Sequence, residues 1–126
     1  MVTNMEPSLE FYTKGLGFEK RLDWRPEEKI EWCWLERDGV ALMLQEYRKD
    51  FLPKEKLGVG VSVCFMCNDS LALYKEFLQK GITPQEPFVG NKLWVVQLTD
   101  PDGYNLAFES PTDVPEETMY SDWIKK

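Results

Sequence analysis

Along this chain, stretches in which apolar residues recur at every second position alternate with two in which they recur at helical spacing. After Gly103, Tyr104, Leu106 and Phe108 fall on one face of an extended segment and Asn105, Ala107 and Glu109 on the other. The segment after Gly39 reads the same way, with Val40, Leu42 and Leu44 set against Ala41, Met43 and Gln45. Asp100-Pro101-Asp102-Gly103 is a turn, since Pro101 fixes φ and Gly103 accepts φ > 0, and Asp38-Gly39 is a two-residue hairpin signal. Superposing the two Asp-Gly pairs sets Leu42 on Leu106, Met43 on Ala107 and Leu44 on Phe108. One unit is written twice.

The pattern predicts a helix over 6–16, capped by Asn4 or Glu6, with Pro7 in its first turn and Gly15 and Gly17 ending it. Strands at 18–24, 30–37 and 40–46 complete a first module, 1–46. The charged stretch 47–57, interrupted by Pro53, is a linker. A second module, 58–110, reads as a strand at 58–67, a helix at 70–80 behind an Asp69 N-cap, a weak edge strand at 82–89 broken by Pro84 and Pro87, and a hairpin of 93–98 with 104–109. Ser8-Leu9-Glu10-Phe11-Tyr12 recurs as Ser70-Leu71-Ala72-Leu73-Tyr74. Residues 111–126 form an acidic tail whose Tyr120, Trp123 and Ile124 could dock on something, a protein partner in one reading. The expected fold class is α+β: a single domain of two βαβββ modules forming a curved eight-stranded mixed sheet, with helices outside and a concave ligand groove.

Hairpin register predicts what lines that groove. A two-residue turn at Asp38-Gly39 pairs Glu36 with Ala41, Trp34 with Met43 and Trp32 with Gln45 on the face away from the helix. A four-residue turn at 100–103 pairs Thr99 with Tyr104, which puts Leu98 beside Asn105, Val96 beside Ala107 and Trp94 beside Glu109 on the corresponding face. The plainer reading makes these aromatics core. Three tryptophans beside Glu109 and Gln45 would make a costly core, because each indole N–H and the carboxylate need partners when buried. A site for a flat or cationic ligand fits better, with rings for stacking and carboxylates for charge.

A net charge of −7 over 126 residues argues against nucleic acid and anionic membranes as partners. No apolar run reaches the length of a membrane span, and no export signal is visible, so a cytoplasmic location is expected. Cys33, Cys64 and Cys67 are then free thiols. Cys64-Phe65-Met66-Cys67 spells a C-x-x-C, but inside a strand-like run, where residues three apart point to opposite faces. No histidine is present to complete a zinc site, and no cofactor is expected.

The stretch Ser8-Leu9-Glu10-Phe11-Tyr12-x-x-Gly15-Leu16-Gly17-Phe18, with Asp100-Pro101-Asp102-Gly103-Tyr104-Asn105-Leu106 downstream, resembles the vicinal oxygen chelate superfamily over about residues 1 to 110. That superfamily includes glyoxalase I, bleomycin-resistance proteins, fosfomycin-resistance enzymes and extradiol dioxygenases. The resemblance implies metal-ligand positions on the first and last strands of each module. Here the first of these would precede Met1, and the others fall on Met43, Ser62 and Ala107, none of them a competent ligand for a divalent first-row metal. What remains resembles the metal-free bleomycin-resistance branch, whose members are typically homodimers. The expected function is therefore metal-independent binding of a small aromatic or cationic molecule by Trp32, Trp34, Glu36, Met43, Gln45, Ser62, Trp94, Val96, Asn105, Ala107 and Glu109. The alternative is a lyase or dioxygenase-type enzyme that uses Glu109 as a base or as a carboxylate metal ligand.

Overall fold

Asp38 and Gly39 both take positive φ, 47° and 85°, the geometry of the tight mirror-image turn that matches strand twist. The hairpin they close belongs to the first of two compact units, Met1–Leu57 and Gly58–Lys126, in a computed structural model that describes residues 1–125. The chain is α+β, and its strands form one sheet of three and one of four.

In the first unit, α1 (Met5–Glu10) runs directly into a π-helical turn, Phe11–Gly15. The wider turn is closed by Leu16 N–H donating to Phe11 O, and Gly17, at φ 81°, lets Phe18 N–H reach back to Tyr12 O. Strands β1 (Glu19–Trp24), β2 (Trp32–Arg37) and β3 (Val40–Gln45) follow in spatial order β1-β2-β3, all antiparallel. The β2–β3 register is the predicted one, pair for pair, from Arg37 with Val40 to Trp32 with Gln45. Ahead of α1, Val2 makes a single parallel bridge to Glu46, just past β3. One face of the sheet supports the helix. Met5, Tyr12, Leu16 and Phe18 bury against Cys33, Leu35 and Leu44, and Leu16 and Leu35 are completely buried, each worth roughly 1.5–3 kcal/mol.

In the second unit, β4 (Ser62–Met66), α2 (Ser70–Gln79), β5 (Phe88–Gly90), β6 (Leu93–Thr99) and β7 (Asn105–Pro111) build a sheet of order β4-β7-β6-β5, with β4 parallel to β7 and the remaining pairs antiparallel. Asp69 caps α2 as expected, accepting from Ala72 N–H at 3.0 Å. Ser70 fastens the helix start to the sheet: its N–H donates to Ser110 Oγ at 2.9 Å and its hydroxyl to Trp94 O at 3.0 Å. Phe77 is fully buried against Phe108, with ring centroids 5.1 Å apart, and Phe65 stacks on Phe108 at 4.9 Å.

Two expectations are corrected here. The β6–β7 turn has three residues between its closing pair, not four. Asp100 and Tyr104 close the loop, Gly103 N–H donates to Asp100 O at 2.9 Å, and Gly103 sits at φ 89°. That combination, a tight turn followed by a left-handed glycine, is a stable three-residue hairpin. Asp100 Oδ1 fixes it by accepting from both Asp102 N–H and Tyr104 N–H at 2.9 Å. The register therefore slips by one, so Thr99 pairs with Asn105, Gln97 with Ala107 and Val95 with Glu109. Secondly, the tail is not loose: its aromatic residues dock on the second unit itself. Met119 bridges Phe88 on the edge of β5, and the short helix α3 (Tyr120–Trp123) sets Tyr120 and Trp123 edge-on to Trp94, at 6.3 and 5.4 Å.

Candidate functional site

Each sheet has one face packed against helix and one that is not, and the chemistry-bearing side chains gather on the open faces. In the first unit, a bulge at Arg21 decides which residues of β1 reach that face. Beyond the bulge Leu22 pairs with Trp34 and Trp24 with Trp32, so the open face reads across the strands as Trp24, Trp32 and Gln45, then Leu22, Trp34 and Met43, then Glu19, Glu36 and Ala41. Trp32, Trp34, Glu36, Met43 and Gln45 thus share a face as predicted. Trp32 and Trp34 are half-buried, while Trp24 is 54% and Met43 59% exposed. Trp34 Nε1 donates to Glu36 Oε1 at 2.9 Å, and Glu36 Oε2 lies 3.4 Å from Arg21 Nε. The indole N–H is satisfied, and a carboxylate stands beside the rings.

Bulge geometry also leaves Lys20 and Asp23 on the helix side, where they form an ion pair that Arg25 joins at 3.0 Å. Hydrogen bonds from Arg25 and then Lys20 hold the Asp23 carboxyl down at about 2. Leu22 and Trp24 were not foreseen as site residues. Strict alternation from Glu19 would have sent both to the other face, and nothing in the sequence marks Arg21 as the bulge.

In the second unit, β4 and β7 set Ser62 beside Asn105, Cys64 beside Ala107 and Met66 beside Glu109. Across β7 from these stand Thr99, Gln97 and Val95, and Phe88 pairs with Val95 from β5. The predicted Ser62, Asn105, Ala107 and Glu109 therefore share one face. Trp94 and Val96 do not. The slipped register carries both to the helix side, where Trp94 lies under α3 and Val96 is fully buried, so neither faces Glu109. Cys64 and Met66 were the missed members, although their spacing from Ser62 along a strand was a readable signal. Glu109 stands on the same face, diagonal to Cys64 across the β4–β7 pair. Partial burial first, then the neighbouring Glu109 carboxylate and its negative charge, push the Cys64 thiol up to about 11. Cys67, just past β4, is engaged apart from Cys64, with its Sγ 3.4 Å from Glu109 O and its N–H donating to the same carbonyl at 2.9 Å. None of the three cysteines, all among the described residues, is in a disulfide.

Among the described residues no three histidine, cysteine, aspartate or glutamate side chains come together as a metal cage. The positions implied by the resemblance offer a thioether at Met43, a hydroxyl at Ser62 and a methyl group at Ala107. That donor set does not fit a first-row divalent ion. A separate groove of about 390 Å³ runs along the outer side of α1, with Leu9, Ile30 and Thr13 flanked by Glu6, Glu10, Lys14 and Lys29. No described helix is long and apolar enough to cross a membrane.

A family model described as the Glyoxalase/Bleomycin resistance protein/Dioxygenase superfamily matches residues 1–108. No curated protein matches the chain. Among solved structures, TnmS3, an antibiotic binding protein from Streptomyces sp. CB03234, superposes with a TM-score of 0.69 at 19% identity, covering 88% of this chain and 89% of its own. UcmS2 superposes with a TM-score of 0.70 at 24% identity, covering 86% and 90%. At those identities both establish the fold alone. The integron cassette protein HFX_CASS4, from the mobile metagenome of Halifax Harbour Sewage Outfall, superposes with a TM-score of 0.65 at 27% identity, covering 86% and 90%.

Proposed function

Because the chain belongs to the glyoxalase/bleomycin resistance protein/dioxygenase superfamily, we propose that it binds a small aromatic or cationic molecule without a metal ion, in the manner of the superfamily's resistance proteins. The observation that carries this reading is the open face of the first unit, which Trp24, Trp32 and Trp34 share and where Trp34 bonds the Glu36 carboxylate. An indole face attracts a planar ring by stacking and a cation through its quadrupole, and a nearby carboxylate adds to the second attraction. Met43 and Gln45 extend that surface, the first a polarizable contact and the second a hydrogen-bonding one. In the second unit, Ser62, Asn105, Ala107 and Glu109 present polar ends and a small apolar floor. The antibiotic-binding relative TnmS3 shares this fold, which supports a ligand of that class.

The protein works, in this reading, as a homodimer in the cytoplasm. Leu22, Trp24 and Met43 leave a contiguous apolar surface that a ligand or a second copy would cover. Titration with bleomycin-type and other aromatic cations, followed by tryptophan emission, tests the proposal. Saturable quenching is expected, with Trp34→Phe weakening binding by about 2- to 30-fold, the range of cation–π contributions. No response to any aromatic cation overturns it. Glu109 as the base of a lyase-type step is the second reading, favoured by its half-buried place on an open face. Turnover that Glu109→Gln abolishes, with ligand binding retained, would establish that reading.

A further inference from the structure

The open face of the second unit carries two sulfur atoms that the binding proposal does not use. Strand alternation puts Cys64 and Met66 on the same side of β4, and the parallel register sets Met66 beside Glu109. Cys64 and Met66 are both exposed residues, Met66 at 58%. Glu109 is also diagonal to Cys64 across the parallel pair, on the same face, which places its carboxylate within range of both side chains. The core of the unit lies on the other face, around Phe65, Phe77 and Phe108, so packing does not call for sulfur here.

We propose that Cys64, Met66 and Glu109 form a binding site for a soft monovalent d¹⁰ cation of the Cu(I) type. Thiolate and thioether are the donors that select Cu(I) over the harder divalent ions, and the carboxylate supplies charge on the third side. Alternate residues on a strand stand roughly 6.6 Å apart at 3.3 Å per residue, a span that Cys and the flexible Met side chain close onto one ion. On binding, the S–H bond of Cys64 breaks, a copper–sulfur bond forms, the proton passes to solvent and the ion sheds its former ligand. No oxidation state changes. Cys67 is held by the Glu109 carbonyl and Cys33 is buried, so neither competes for this position. The site rests on β4–β7 pairing and not on the aromatic-ligand reading, and either can fail without the other.

The test is anaerobic competition of the whole protein against Cu(I) held by bicinchoninate. One equivalent should be withdrawn, and Cys64→Ser and Met66→Leu should each weaken retention at least tenfold while Cys67→Ser leaves it unchanged. X-ray absorption of the loaded protein should show two sulfur neighbours. Failure to withdraw copper overturns the proposal. So does a Met66→Leu variant that binds like the parent, which reduces the site to a thiol alone, or a loss confined to Cys67→Ser. Circular dichroism of each variant separates lost binding from lost folding.

Discussion

Trp34 donates its indole N–H to Glu36, while the same carboxylate leans on Arg21. Glu36→Gln retains an acceptor and removes the charge. Affinity for a cationic aromatic should therefore fall about 2- to 10-fold, with a neutral analogue of the same shape unaffected, as two calorimetric titrations would read. Cys64 gives a second prediction at this scale. Its thiol, at about 11, carries so little thiolate at pH 8 that alkylation by iodoacetamide should run at least tenfold slower than for a free cysteine. Glu109→Gln should speed it. Asp23 sets a pH signature. Its folded-state value is depressed to about 2, so the stability it contributes is present above the ordinary carboxylate range and is lost as pH falls through 2. Between pH 5 and pH 2, the urea midpoint of Asp23→Asn should therefore fall less than that of the parent.

Both helices, the paired hairpins and the exact β2–β3 ladder were legible because each rests on local chemistry: the Asp69 cap, the glycine stops and a two-residue Asp-Gly turn that admits one register. The β6–β7 ladder was not, because Asp100-Pro101-Asp102-Gly103 is compatible with two loop lengths and only the Asp100 side chain, reaching Tyr104 N–H, selects between them. That one residue moved Trp94 and Val96 out of the candidate site and left Ser62, Asn105, Ala107 and Glu109 in it. The β1 bulge had the opposite effect, adding Trp24 and Leu22. Register at two strand pairs, invisible to composition, thus removed two of the eleven expected site residues and added two others. Gly103→Ala should destabilise the second unit by about 1 kcal/mol or more, because φ 89° strains any residue with a Cβ, and thermal unfolding would measure it.

Across the whole molecule, the five tryptophans divide by environment. Three lie on the open face of the first unit, and Trp94 with Trp123 lies in the aromatic cluster of the second. Truncation after Pro111 removes α3 and the strand-edge contacts at Val89 and Phe88, so the emission of Trp94 should shift to the red and unfolding should begin at lower denaturant. The short loop closing β6 and β7 has a wider consequence. Because strand faces alternate, its length acts as an odd–even counter. Inserting or deleting one amino acid there would swap an indole that now serves as mortar for one aimed at solutes, without altering any side chain. Relatives that differ by a single position in this loop can therefore present quite different surfaces to what they capture.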